Sequence, residues 1–217
     1  MDKEKFRKAL DALKKDSTKR KFTQSIELIV NLKDLNLKNP DEHVDIFTML
    51  PKSRGKEIKV CALIGPELEA ESKANCQKVI MQQEFDKYKQ DKKAVKKLAE
   101  EYDFFIAQAN IMGPIATAFG AILGPRKKMP NPKSGCIVPP KVTLKPLVEK
   151  LSKTIRLIAK DKLVIQVPIG KEGMSDEDVI ENLVAVFNVL VHGLPKELNN
   201  VRGIYIKYTM SKPVKVV

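Results

Sequence analysis

Residues that carry covalent chemistry are scarce in this chain. Its 217 residues include two histidines and three cysteines. His43 stands at a strand start and His192 at a helix end, neither beside a nucleophile, so a surface or helix-terminus role is favoured over catalysis. Cys61, Cys76 and Cys136 are odd in number and widely spaced, with no Cys-x-x-Cys pair. That argues for a reducing compartment and against a zinc site or a disulfide framework. No apolar run approaches the roughly 18 to 20 residues that span a bilayer. Met1-Asp2-Lys3-Glu4-Lys5 is a charged helix start without an apolar signal core, so the expectation is a cytoplasmic protein with no membrane partner. Gly113, Gly120 and Gly124 match neither the phosphate-loop nor the dinucleotide spacing, and no Gly-Lys-Ser/Thr follows. The carboxylates lie mostly in helices beside lysines, as at Glu100-Glu101, and read as solvated surface. No active site and no cofactor are expected. A zinc finger, a basic recognition helix and an aromatic RNP pair are absent as well.

Positive charge is abundant: 40 Lys and Arg against 27 Asp and Glu give +13. Such a balance speaks of partners, nucleic acid first and an anionic membrane surface second. At 43% hydrophobic residues the chain can build a real core, in one large or two small domains. The most conspicuous stretch is Gly124-Pro125-Arg126-Lys127-Lys128-Met129-Pro130-Asn131-Pro132-Lys133-Ser134-Gly135. Three prolines keep it out of helix interiors and central strands. It reads as a rigid, solvent-exposed loop presenting Arg126, Lys127, Lys128 and Lys133 to a polyanion, or else as a solvated turn.

Taken in order, residues 3–15 predict a helix with Phe6, Ala9, Leu10 and Leu13 on one face. A basic connector follows, 14–21, and then an alternating strand from Ser25 to Leu32. Val44 to Leu50 is a second strand, and Lys52 to Lys56 a cationic turn. The apolar run Ile58 to Ile64, with Gly65-Pro66-Glu67 opening a helix, begins a βα unit. Further strands are expected at 78–82 and 104–107, and helices at 91–101, at 115–123 (broken by Gly120) and at 143–152. Thr154 to Ala159 and Leu163 to Val167 then read as a hairpin across Lys160-Asp161-Lys162. Ser175 caps a helix with Val179, Leu183, Val186 and Leu190 inward, ended by Gly193 and Pro195. Val201 to Tyr208 is the last strand. The expected fold class combines α+β and α/β: a discontinuous α+β domain from 1–57 and 154–217, interrupted by a Rossmann-like α/β insert over 58–153. The chain would cross twice, near Lys56 and Lys153, and paired crossings make a hinge.

Two places are candidates for binding. The insert has 17 basic against 10 acidic residues, a larger excess than either flanking segment, so charge alone points there. Local context offers another, where the basic residues 19–21, ending in Lys21, run into Phe22 and a strand bearing Ser25 and Glu27. An aromatic, a hydroxyl and a carboxylate beside cations can stack on a base, read a 2′-OH and accept from base amines, a mixture suited to RNA. The alternative is ordinary strand surface with Phe22 in the core.

Gly-Pro-Arg-x-Lys-Met-Pro-Asn-Pro-Lys at 124–133 closely resembles the signature loop of the L-one ribosomal protein family, and Phe22-x-x-Ser25-Ile26-Glu27 and Thr209-Met210-Ser211 follow the family in the expected order. The resemblance covers essentially the whole chain and looks like the archaeal type. It implies a two-lobed, non-enzymatic protein of the large-subunit stalk whose discontinuous lobe clamps folded rRNA through Phe22, Ser25, Glu27, Thr209, Met210 and Ser211, overruling the charge count. It also implies action near the tRNA exit site during release of deacylated tRNA, a monomer off the ribosome, and translational repression through its own messenger RNA. The Arg126 to Lys133 loop would then be secondary. Three positions depart: Ser25 where the family often has Thr, Ser211 where bacterial members have Gly, and Lys127 where Gly is frequent. The rival readings are a general DNA or chromatin-binding protein and a nucleotide-dependent enzyme using the insert.

Overall fold

The computed structural model describes residues 3–18 and 20–216. They form two compact units, one built from the chain up to Lys56 and again from Lys153 onward, the other from Glu57–Ser152.

In the discontinuous unit, amphipathic spacing makes α1 (Lys3–Asp16) bury Phe6, Ala9, Leu10 and Leu13. Strand β1 (Ser25–Leu32) alternates strictly, with Ile26, Leu28, Val30 and Leu32 turned inward. It pairs antiparallel with β8 (Val164–Lys171) on one side and β9 (Val201–Tyr208) on the other. A short β10 (Val214–Lys215) completes the sheet in the order β10-β9-β1-β8. The inner face packs on α1 and on α7 (Asp176–His192), whose helices meet edge to face at Phe6 and Phe187, 6.3 Å between ring centroids. Ser175 caps α7 by accepting from the Asp178 N–H at 3.2 Å, and three acidic residues fill its first turn.

Beside that sheet, β2 (Val44–Met49) pairs with β7 (Thr154–Ala159) in a separate antiparallel ribbon. The expected hairpin of residues 154–167 is therefore not formed: β7 pairs with β2 and β8 with β1. Chain proximity favours a hairpin, but the two strands separate into different sheets, β7 beside β2 and β8 at the edge of the sheet that β1 and β9 share. Two buried amides lock the unit. Asn182 of α7 donates to the Lys52 and Ile169 carbonyls and accepts from the Lys52 N–H, while Asn200 bridges Lys33, Asp34 and Lys196. At Gly193 a Cβ would lie 2.2 Å from Ile46 Cδ1, so a larger residue there would require the end of the Ile46 side chain on β2 to move aside.

The second unit is a parallel sheet in the order β4-β3-β5-β6, from β3 (Val60–Ile64), β4 (Lys78–Met81), β5 (Phe104–Gln108) and β6 (Ile137–Val138). Every residue of β3 is buried, because both faces are covered. Val60, Ala62 and Ile64 pack with Leu144 and Leu151, toward α2 (Glu69–Asn75) and α6 (Lys145–Lys153). Cys61 and Leu63 pack instead with Val95, Leu98, Ile115 and Phe119 of α4 (Lys92–Glu101) and α5 (Met112–Leu123) and with Phe85 of α3 (Phe85–Gln90). Burial pushes the Cys61 thiol up to about 12 and Cys76 to about 11, so both are apolar filling. Helix α3 has no counterpart among the expected elements, being six residues long. Helix α5 runs unbroken through Gly120, whose carbonyl accepts from the Gly124 N–H at 2.9 Å.

The ends of β3 and β5 are where an open α/β sheet receives a ligand. Here the buried side chain of Gln108 spans that point, accepting from the Gly65 N–H at 2.8 Å and donating to Glu67.

Candidate nucleic-acid interface

Ser25 and Thr209 are nearly the full chain apart, and the β1–β9 ladder makes them neighbours. The Ser25 N–H donates to Thr209 Oγ1 at 3.1 Å, and the Thr209 N–H donates to the Ser25 carbonyl at 3.1 Å. Next along the turn, the Met210 N–H donates to Gln24 Oε1 at 3.1 Å. Ser211 Oγ accepts from the Tyr208 N–H at 2.9 Å, so its hydroxyl closes the strand end where bacterial members of the resembled family carry glycine. Its φ lies outside the left-handed region, and no glycine is required. Gln24, 1% exposed, was not among the expected site residues. A polar residue just before a strand reads as surface in sequence; its burial comes from Met210 and Glu172, which lie far along the chain.

The remaining strip residues face outward. Phe22 is 52% exposed and Met210 59%, so the reading that put Phe22 in the core is overturned. Exposed apolar side chains of this size, beside exposed Lys21 and Thr209, are available to meet a flat partner. Glu27 sits opposite Lys207 on β9, and its Oε2 accepts from Gln166 Nε2 of β8 at 2.6 Å. That hydrogen bond fixes one carboxylate oxygen and leaves acceptor capacity on the other. Lys19, in the expected basic run, lies outside the described residues. Ser25, Glu27, Thr209, Met210 and Ser211 thus share one end of one sheet, and exposed Lys21 and Phe22 lie on the segment that leads into it.

The basic loop behaves differently from expectation. Lys128 turns inward, its ammonium 2.7 Å from the carbonyls of both Ala99 and Tyr102 at the C-terminal end of α4. A cation there complements the helix dipole and closes open carbonyls. Arg126 pairs with Glu100 at 2.9 Å. Pro130 and Ser134 are buried, and Asn131 caps the following turn by accepting from the Lys133 N–H at 2.8 Å. Of the four cations Arg126, Lys127 and Lys133 are exposed and Lys128 is partly buried. Lys127 adopts φ +59, the left-handed conformation that glycine favours, so the turn keeps a glycine-like shape with lysine in place.

Among the described residues no cluster of three or more His, Cys, Asp or Glu could hold a metal, and no helix is long and apolar enough to cross a membrane. The chain thus combines a discontinuous sheet unit, with a polar and aromatic strip at one end, and an inserted parallel-sheet unit. The model of the ribosomal protein L1p/L10e family matches residues 13–212, and the chain belongs to that family, one of structural RNA-binding proteins and not of enzymes. It is 39% identical to the large ribosomal subunit protein uL1 of Methanothermococcus thermolithotrophicus over 216 residues, covering 100% of this chain and 99% of that one. It is 38% identical to uL1 of Pyrococcus horikoshii over 216 residues (99% and 96% covered) and 41% identical to uL1 of Thermococcus kodakarensis over 217 (99% and 98%).

Proposed function

We propose that this protein is a structural component of the large ribosomal subunit that binds folded rRNA of the mobile stalk through the strip of Lys21, Phe22, Ser25, Glu27, Thr209, Met210 and Ser211. The observation that supports it most is the reciprocal pair of hydrogen bonds between Ser25 and Thr209. It holds two distant segments as one preorganised surface, so little ordering is left to be done on binding. Exposed Phe22 and Met210 offer faces for unstacked bases, and the hydroxyls and Glu27 offer partners for sugars and base amines. Lys127 and Lys133 add secondary, charge-based contacts.

On this reading the stalk, held near the tRNA exit site, assists release of deacylated tRNA, with flexure at the two crossings, Lys56 and Lys153. The same strip would take a similar fold in the protein's own messenger RNA and repress its translation. The test is filter binding to a large-subunit rRNA stalk fragment at two salt concentrations, with duplex DNA of equal length as competitor. Tight binding that survives excess DNA and depends only partly on salt is expected. Equal competition by DNA with a steep salt slope would reduce the +13 to unspecific attraction and favour the general DNA-binding reading.

A further inference from the structure

Next to the strip, the C-terminal end of α1 and the segment after β9 enclose a cavity of about 530 Å³. That lies within the ~300–1,000 Å³ of small-molecule sites. Gln24 lines it and is 1% exposed. Its Oε1 is fixed as the acceptor of the Met210 N–H, so Nε2 is the amide's donor end. Among the described residues that donor has no partner, and it is not fully enclosed, so it is open to a guest that enters the cavity. We propose that the cavity receives a single unpaired nucleobase splayed out of the RNA on the neighbouring strip, a proposal that rests on the rRNA-binding reading above.

The lining supplies each element such a guest needs. Leu13 and Val214 give apolar wall for a ring face, and Met210 a polarisable thioether. Gln24 Nε2 donates to a ring nitrogen or carbonyl oxygen. Asp16, an exposed carboxylate on the lining, accepts from an exocyclic amine or ring N–H and repels phosphate. Exposed Lys212 meets the phosphate of the same nucleotide outside. A free phosphate would be met by Asp16, and an aliphatic guest would leave Gln24 Nε2 unpaired; a base satisfies both groups. Drawing a base out of a loop is cheap where it is already unpaired, and loops and bulges are where proteins read RNA.

The test uses the full chain and a stalk rRNA fragment in which each unpaired position is made abasic in turn. One position is expected to lose about tenfold in affinity. Gln24→Glu keeps the Met210 acceptor and replaces the donor with an oxygen; it should weaken the intact RNA similarly, and its loss should not add to that of the abasic position. Thr18→Trp, which fills the cavity from an exposed loop, should show the same non-additivity and serves if Gln24→Glu does not fold. If no abasic position matters, or if the losses add in full while Thr209→Val still weakens binding, the nucleobase pocket is wrong and the strip survives. If the wild-type chain does not bind the fragment, the strip reading falls and the pocket with it.

Discussion

Thr209 illustrates how much one hydroxyl can organise at a sheet end. It accepts from the Ser25 N–H while its own N–H closes the ladder, so the side chain is both latch and surface. Thr209→Val keeps the shape and removes the acceptor. RNA affinity should fall by about 1–3 kcal/mol, with little change in Tm, because water can reach the released Ser25 N–H. Unchanged affinity in a folded variant would take Thr209 out of the interface. A second single-residue prediction concerns Asp45, on β2. Arg156 of β7 donates to it twice, at 2.7 and 2.8 Å, and Lys160 adds a third contact at 2.7 Å. The Arg156 hydrogen bonds hold its carboxyl down at about 2, against an ordinary 3.8. A carboxyl depressed in the folded state stabilises above its unfolded value and loses that contribution as pH falls. The window here is about pH 4 down to pH 2, and with solvent screening of this partly buried pair the contribution at neutral pH is about 1–2 kcal/mol. Asp45→Asn should flatten the acid limb of the stability curve in that window. An unchanged acid limb would mean the clamp adds no net stability.

At the scale of elements, the basic loop is where sequence and structure part. Its four cations read as one electrostatic patch, yet Lys128 serves as a C-terminal cap for α4. Composition does not disclose this, because a lysine's aliphatic stem lets the ammonium point toward solvent or toward helix carbonyls equally well. Lys128→Met should therefore destabilise the parallel-sheet unit by about 1–2 kcal/mol and leave the salt slope of RNA binding intact. Lys127→Gly should do the reverse: up to about 1 kcal/mol gained from relief of the left-handed backbone, with a slightly lower salt slope. Equal effects of the two on salt dependence would restore the simple patch. Period-two alternation in β1 and the unbroken apolar run of β3 were legible because burial there follows the local pattern. The pairing of β7 was not, since a strand's partner is chosen by the sheet it joins, and residues 160–162 look like any turn. Helix α3 is too short to show a period, and the two residues of β10 show none. Within the candidate site, Phe22, Ser25 and Glu27 stood out as residue types in one stretch. Thr209 to Ser211 came only through family resemblance, and Gln24 not at all, because its burial is made by long-range contacts.

At the scale of the whole molecule, the larger basic excess and the candidate strip fall on different units. The segment 58–153 carries the larger basic excess, 17 against 10, while the candidate strip lies entirely in the unit completed by the other segments. That unit is already closed on itself where the chain leaves it: the Leu50 N–H donates to the Lys153 carbonyl at 2.8 Å, and Met49 stands opposite Thr154. The exit and return points are thus held close by β2 and β7, and a short Gly-Ser linker can join residue 56 to residue 153 without pulling on either strand. A chain of 1–56 joined in this way to 153–217 should fold and keep most of the affinity for the stalk fragment, with a shallower salt slope. The excised segment 57–152, with its own two-faced core, should fold too, but bind RNA and duplex DNA alike and lose both as salt rises. Should the excised segment prove the tighter and more selective partner, charge would have been the better guide, and the strip would be ordinary sheet surface.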